Sequence, residues 1–279
     1  MSHTLALSVL LSAYAASETL SLGLERLIIK DPQLPAAFDR LRVIFISDIH
    51  HGLFSSQRRL RQMVTRINRL QPDLILLGGD YLQTRHRSLS ALRTDYQQLA
   101  HILARLHPTS LGKFAVLGNH DYVFDEATNR DFLAQAGFKL LVNQGVDLPR
   151  GDAVIRLDGV GDLWYGQPNF VRAHAHTPAA VFTILLSHQP NFIDQLTATD
   201  GVNFVLAGHT HGAQIRPFNF FPVIPRRIAR WEYTVGLIET SAARMLVSPG
   251  IGNEIPYFRF FSPPKIHLLT FKSAPHVRA

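Results

Sequence analysis

Apolar and polar positions along this chain switch between two spacings. Residues 42–46 (RVIFI) form a short apolar, β-branched run that reads as a buried strand. From 57 to 70 the spacing changes. Leu60, Met63, Val64, Ile67 and Leu70 recur every three or four residues, with Arg58, Arg59, Arg61, Arg66 and Arg69 largely on the other side. That predicts an amphipathic helix stopped at Pro72. Residues 74–77 are the next apolar run and complete a strand, helix, strand crossover, the unit that parallel sheets require. The pattern then repeats: 88–106 and 129–136 read as helices, and 114–117, 139–142, 154–160, 182–186 and 204–206 as strands. Residues 162–178, rich in Gly, Pro, His and aromatics, read as a loop. Two later runs, 245–247 and 266–271, alternate as antiparallel strands do. The pattern by itself supports an α/β fold with a largely parallel, helix-flanked sheet.

No internal repeat, low-complexity tract or linker interrupts the chain, so residues 36–279 read as one domain behind a lead segment of residues 1–35. The first seventeen residues carry no Asp, Glu, Lys or Arg. Their apolar stretch is shorter than the roughly 20 residues of a spanning helix. No basic residue precedes it, as a secretory signal would want. The lead segment is therefore expected to be a helix that packs on the domain or touches a membrane, ahead of a degenerate signal or a span. The expected location is the cytoplasm, with membrane association open and export ranked below. The tail at 273–279 is expected to fray.

At 279 residues, 46% hydrophobic and 18% charged, the composition is that of a folded protein with a sizeable core. Cysteine is absent. Disulfides, thiolate nucleophiles and iron–sulfur clusters are thereby excluded, and any metal must be held by oxygen and imidazole. The net charge of +7, with arginine well ahead of lysine, suits an anionic substrate or surface, because the guanidinium fork matches phosphate oxygens. A basic, solvated face is the plainer reading. A nucleic-acid partner is not favoured, since no basic stripe interleaved with base-stacking aromatics runs along the chain.

Five polar motifs follow the apolar runs in fixed order: SDIH at Ser47 to His50, GGD at Gly78 to Asp80, GNHD at Gly118 to Asp121, SHQP at Ser187 to Pro190 and GHTH at Gly208 to His211. Each sits where a buried strand emerges into a loop, and parallel sheets build ligand sites at such strand ends. Carboxylate, amide oxygen and imidazole are suitable donors for divalent transition ions. Two such ions about 3.5 to 4 Å apart can clamp the attacking and leaving oxygens of a displacement at phosphorus. A pair of ions needs a bridging carboxylate, and Asp80 is the natural one. Singly, each motif is weak: a DxH pair can arise by chance, and GNHD can be a turn. Five together are specific.

In order and wording, these motifs resemble those of the calcineurin-like metallophosphoesterases, within them the YaeI-like bacterial phosphodiesterase subgroup, over the stretch from Asp48 to His211. The phrases GDLW at 161–164, GHTHGAQ from 208 and RFFSPPKI at 259–266 carry the subgroup likeness. Ala213 stands where members often have glycine. The resemblance implies a four-layer αββα sandwich: two mixed β-sheets flanked by helices. It implies that Asp48, His50 and His211 bind one ion, that Asn119, His188 and His209 bind a second, and that Asp80 bridges them. His120 would be the catalytic histidine, stabilising phosphoryl oxygens or protonating the leaving group. The ions are expected to be manganese first, with iron or zinc as alternatives. The expected chemistry is hydrolysis of phosphodiester or pyrophosphate bonds by metal-bound hydroxide, with inversion at phosphorus.

Asp121 is expected to orient His120 by accepting its second N–H. His51 could touch substrate or shape its loop. His86, His101, His107, His174, His176, His267 and His276 read as surface or packing residues. The segment after the last motif, with Phe218, Phe220, Phe221, Arg226, Arg227, Arg230 and Trp231, could wall the site for a lipid phosphate, or be core aromatics with solvated arginines. Pyrophosphate cleavage of UDP-diacylglucosamine is the narrower alternative for substrate, and peripheral membrane contact is a possible partner interaction. A metal-free interaction module is the non-enzymatic alternative, but such a descendant would be expected to have lost ligands, and all are present. Oligomeric state is not readable.

Overall fold

The structure, a computed structural model, describes residues 3–52, 55–107, 109–175, 177, 181–217 and 228–274. It opens with α1 (His3–Leu20), β1 (Gly23–Asp31), β2 (Leu41–Ile46), α2 (Gln57–Leu70), β3 (Leu74–Leu77), α3 (Leu89–Leu103), β4 (Lys113–Ala115), α4 (Glu126–Gln135) and β5 (Lys139–Leu140). It continues with β6 (Gln144–Arg150), β7 (Ala153–Gly159), α5 (Phe170–Ala173), β8 (Thr183–Leu186), β9 (Phe204–Ala207), β10 (Gly236–Glu239), β11 (Arg244–Val247) and β12 (Lys265–Ser273).

The strands form two six-stranded mixed sheets, ordered β1-β12-β2-β3-β4-β5 and β10-β11-β9-β8-β7-β6. In the first, β2 to β5 run parallel, while β12 lies antiparallel to β2 and parallel to β1. In the second, β7, β8, β9 and β11 run parallel, with β6 and β10 as antiparallel edges. The 245–247 run therefore pairs both ways, parallel to β9 and antiparallel to β10. The stretch read as a loop at 162–178 holds one helical turn, α5, capped by the Asn169 side chain accepting from Arg172 N. Within the lead segment, α1 precedes β1, and β1 pairs with β12 along its whole length.

The two-residue period of the strands decides which core each side chain enters. Val43 and Phe45 of β2 face a layer between the sheets, where they meet Leu157, Ile184, Leu186, Phe204 and Leu206. Ile44 and Ile46 face outward onto Leu60, Met63, Val64 and Ile67 of α2 and the apolar sides of α3 and α4. On the far side, Leu185, Val205, Met245 and Val247 are covered by Phe192, Ile193 and Tyr233 from short helical turns rather than a long helix. Each such fully buried aliphatic or aromatic side chain is worth about 1.5–3 kcal/mol over its exposed state. Because both faces of the central strands are buried, their sequences read as unbroken apolar runs. Their carboxyl ends all open on one edge of the sandwich.

Candidate metal centre

Four of the motifs begin one residue beyond a strand, and GNHD begins three beyond β4. β2 delivers Asp48 and His50, β3 Asp80, β4 Asn119 and His120, β8 His188, and β9 His209 and His211. The loops are tied to one another by main-chain bonds: Asp48 N donates to Gly79 O at 3.0 Å, and His50 N donates to Asp80 O at 3.1 Å. His209 N donates to Asp48 Oδ1 at 3.0 Å across the two sheets. Gly118 permits the convergence, because a Cβ there would collide with Asp80 Oδ1 and His188 Cε1. Gly79, at φ +92°, turns the chain where any side chain would strike the Gly118 backbone.

The candidate ligating atoms form three groups. Asp48, His50 and His211 make one, Asp80, His188 and His209 another, and His50, His120 and Glu254 a third toward the rim, the atoms of each lying within 4.8 Å of one another. Asp80 Oδ2 is 3.5 Å from His50 Nε2 and 3.2 Å from His188 Nε2, so it stands between them. His50 Nε2 and His211 Nε2 face each other at 3.1 Å, as do His209 Nδ1 and His188 Nε2 at 3.2 Å. Two donors each about 2.1 Å from one ion stand roughly 3 to 3.4 Å apart, so these spacings fit shared cations. Asn119 Oδ1 is buried without a hydrogen-bond partner, which is costly unless a cation satisfies it. His188 Nδ1 lies 2.7 Å from Gly78 O, the main-chain anchor that fixes a ligating ring and turns its other nitrogen inward. By donor type, spacing and orphaned atoms, the residues present fit a pair of divalent ions.

The electrostatics agree. Burial pushes Asp48 up to about 6, against the pull of His188. Burial brings His50 down to about 4, and burial with the His188 charge brings His209 down to about 3. His211 falls well below its ordinary value through burial and the neighbouring His50. These rings are therefore neutral, the form that ligates a metal. For His188, burial pushes down but the Asp80 carboxylate outweighs it and lifts it to about 10. Burial pushes Asp80 up, yet His188 and His120 hold it well below the usual carboxylate range. A cation between Asp80 and His188 would supply the positive charge that a ring proton supplies there.

His120 stands at the rim, its Nδ1 2.8 Å from Thr84 Oγ1. Asp121 does not orient it, contrary to the expectation from sequence. Its Oδ2 accepts from Asp80 N and Gly118 N, both at 2.8 Å, and its Oδ1 from Tyr81 N at 2.9 Å, so it locks the loops after β3 and β4 together. Adjacency in the motif suggested the wrong partner, whereas Thr84 gave no sequence signal. His51 is buried with Nδ1 3.4 Å from Ser55 Oγ, in the field of Asp95, and does not line the cavity. Sequence reasoning also missed Glu254, Arg85 and Gln214, which line the cavity from the loops after β3, β9 and β11. Trp164 of the GDLW phrase forms another wall, its ring 4.7 Å from that of His209 and edge-on to it. It is held because Asp162 Oδ1 accepts from Trp164 N and Tyr165 N at 2.8 Å, while Asp162 itself is gripped by Gln189 of the SHQP motif. Phe218, Phe220, Phe221, Arg226, Arg227, His176 and His276 lie outside the described residues.

Comparison with known proteins places this geometry. Residues 41–213 match the calcineurin-like phosphoesterase family. A metallophosphoesterase of Aquifex aeolicus is 32% identical over 271 residues, covering 95% of this chain and 98% of its own. Phosphodiesterase YaeI of Escherichia coli is 28% identical over 216 residues, covering 76% of this chain and 75% of its own. A solved dimetal phosphatase of Danio rerio is similar with a TM-score of 0.44 at 11% identity, covering 76% of this chain and 88% of its own. With its two clusters of ligands at the strand ends inside or beside the matched stretch, the chain belongs to the calcineurin-like phosphoesterases, enzymes that depend on a pair of metal ions.

Proposed function

We propose that this enzyme hydrolyses phosphodiester or pyrophosphate linkages. The observation that carries the reading is the placement of Asp80 between two imidazole clusters, with His120 beside them on a cavity of about 730 Å³. Asp48, His50 and His211 would hold one ion, Asn119, His188 and His209 the other, and Asp80 both. When bound, such a pair polarises phosphoryl oxygens and makes water a nucleophile near neutral pH. Manganese is the favoured occupant, with iron and zinc as alternatives for the same oxygen and nitrogen donors.

The chain's own residues do the rest. With Nδ1 turned to Thr84, His120 presents Nε2 to the cavity, where it can donate to a phosphoryl oxygen or to the departing alkoxide. Trp164, Ile255 and Pro256 give the cavity an apolar side for an ester group. Arg85 adds a cation at the rim. The similarity to a phosphodiesterase supports the diester rather than the monoester. The nucleotide-lipid pyrophosphatase reading and the metal-free interaction module are not favoured: the ligands the latter would have lost converge in one site.

A lipid-phosphate substrate at a membrane surface is a second reading, favoured by α1. Leu7, Val9, Leu10 and Leu11 on that helix are exposed. Beside it, Arg59 and Arg66 of α2 donate to Ser21 O and Leu22 O at 2.7 Å, and Arg58, Arg61 and Arg69 face solvent. An apolar helix next to an arginine face suits an anionic interface. No helix among the described residues is long and apolar enough to cross a membrane.

The deciding experiment is a hydrolysis panel with added manganese, iron or zinc over aryl monoesters, aryl diesters, nucleoside diphosphate lipids and phospholipid vesicles. Turnover of diesters that vanishes in Asp80→Ala and Asn119→Ala, with circular dichroism unchanged, is expected. Turnover that survives both substitutions would sink the reading. Hydrolysis confined to vesicle-borne substrate would select the membrane version.

A further inference from the structure

One carboxylate on the cavity wall lies outside the seven residues proposed to hold the two ions, although its oxygen clusters with His50 and His120. Glu254 lies on the loop between β11 and β12 with its side chain 16% exposed. Its Oε1 is 3.7 Å from His50 Nδ1 and 3.7 Å from His120 Nε2, beyond hydrogen-bond length for either. The same oxygen accepts from Gln83 Nε2 at 2.8 Å, and Oε2 is 3.3 Å from Arg85 Nε. The main chain at this residue is clamped: Glu254 N donates to Gln214 Oε1 at 2.6 Å, and Gln214 Nε2 donates to Glu254 O at 2.8 Å. Behind it, the buried Arg259 donates to Pro249 O at 2.7 Å and to Asn253 Oδ1 at 2.9 Å. The carboxylate is thus fixed at the mouth of the site instead of swinging on a surface loop.

A negative charge beside groups that receive a phosphoryl group weakens the binding of every anion, and it weakens a dianion more. A diester carries one negative charge. A monoester carries a second above a pKa of about 6. Coulomb repulsion scales with the charge product, so the penalty falls about twice as heavily on the monoester. Glu254 also occupies Arg85, whose guanidinium would otherwise be free to pair with the additional oxygen. Both effects have the same sign. We propose that Glu254, by its charge and its hold on Arg85, is a specificity-determining residue that disfavours phosphomonoesters and so selects diesters. This rests on the phosphoesterase reading of the site.

The test uses Glu254→Gln and Arg85→Gln in the full chain loaded with manganese. The ratio of kcat/KM for p-nitrophenyl phosphate to that for bis(p-nitrophenyl) phosphate is expected to rise about tenfold or more in Glu254→Gln, through a lower monoester KM. In Arg85→Gln it should fall, because the carboxylate is left without its partner. Calorimetric binding provides a readout independent of turnover: in Glu254→Gln, affinity for the dianion phenylphosphonate should gain on that for dimethyl phosphate, with metal content unchanged. Ratios that stay put in both assays overturn the proposal. Loss of metal from Glu254→Gln overturns it too, since the residue would then be supporting a ligand. Should the parent enzyme cleave neither ester, the diesterase reading fails, while the binding arm still decides the role of Glu254.

Discussion

Five of the residues proposed to hold metal pay a conformational cost to be where they are. Asp48, His50, Asp80, His209 and His211 all have positive φ, between 43° and 70°. Such a backbone costs an L-residue of order 1–3 kcal/mol and persists only where its surroundings over-determine it. Asp121 is part of that enforcement, with three main-chain N–H groups from the loops after β3 and β4 converging on its carboxylate. Arg259 is another, donating to the carbonyl of His211 at 3.3 Å from a fully buried position. Asp121 and His120 adjoin in sequence yet should therefore fail differently. Asp121→Ala is expected to lose bound metal although it removes no ligand. His120→Ala should retain both ions and lower kcat about 10²- to 10⁴-fold. Metal analysis beside turnover separates them; a His120→Ala protein stripped of metal would make that ring a ligand.

At the level of elements, what the sequence made legible was what burial imposes. β3, β8 and β9 are buried throughout and β2 everywhere but Arg42, so they stand out as apolar runs, and α2 matches its predicted bounds because its apolar and arginine faces are cleanly divided. The strands that went unread are edges. β1 has buried side chains only at Ile29 and Asp31, β10 alternates between half-buried and exposed positions, and β6 carries Pro149, which an edge strand tolerates. The site divides the same way: residues on strand ends were readable, while Thr84, Arg85 and Glu254 sit on loops whose spacing encodes nothing. β1 nevertheless contributes a testable contact. Glu25 lies 3.0 Å from the buried His267 Nδ1 and 2.6 Å from Lys265 Nζ on β12. The close His267 ring, against burial and helped by Lys265, draws its carboxyl down to about 2 from 4.5. A depressed carboxylate adds stability that is present above its unfolded pKa and lost as pH falls through the folded one. Glu25→Gln should accordingly lower the thermal midpoint by roughly 2–4 °C at pH 7, and the gap to the parent should narrow between pH 4.5 and about 2. A gap that is the same at pH 3 and pH 7 would mean that the pair's charge is not what stabilises the edge.

For the whole molecule, the consequence lies in where the ligands come from. The first sheet supplies Asp48, His50, Asp80 and Asn119, and the second His188, His209 and His211. An apolar layer joins the sheets through most of their shared face. At their carboxyl edge that layer gives way to buried carboxylates and imidazoles: desolvation weighs on Asp48, His50, His209 and His211, while the attraction between Asp80 and His188 opposes it. Cations shared between the clusters would turn that edge from the weakest part of the seam into a cross-link. The linkage is quantitative: an ion at a hundred times its dissociation constant stabilises the state that binds it by about 2.7 kcal/mol. In a chain of this size that corresponds to a rise in Tm of roughly 4–6 °C per tightly held ion. Manganese-loaded protein scanned with and without a chelator should show a drop of that order. Asp80→Asn, which weakens the bridge while keeping the volume, should abolish most of the difference, and should also lower the chelated midpoint because His188 loses the carboxylate that faces it. A chelator effect as large in Asp80→Asn as in the parent would place the stabilising ion somewhere other than this seam.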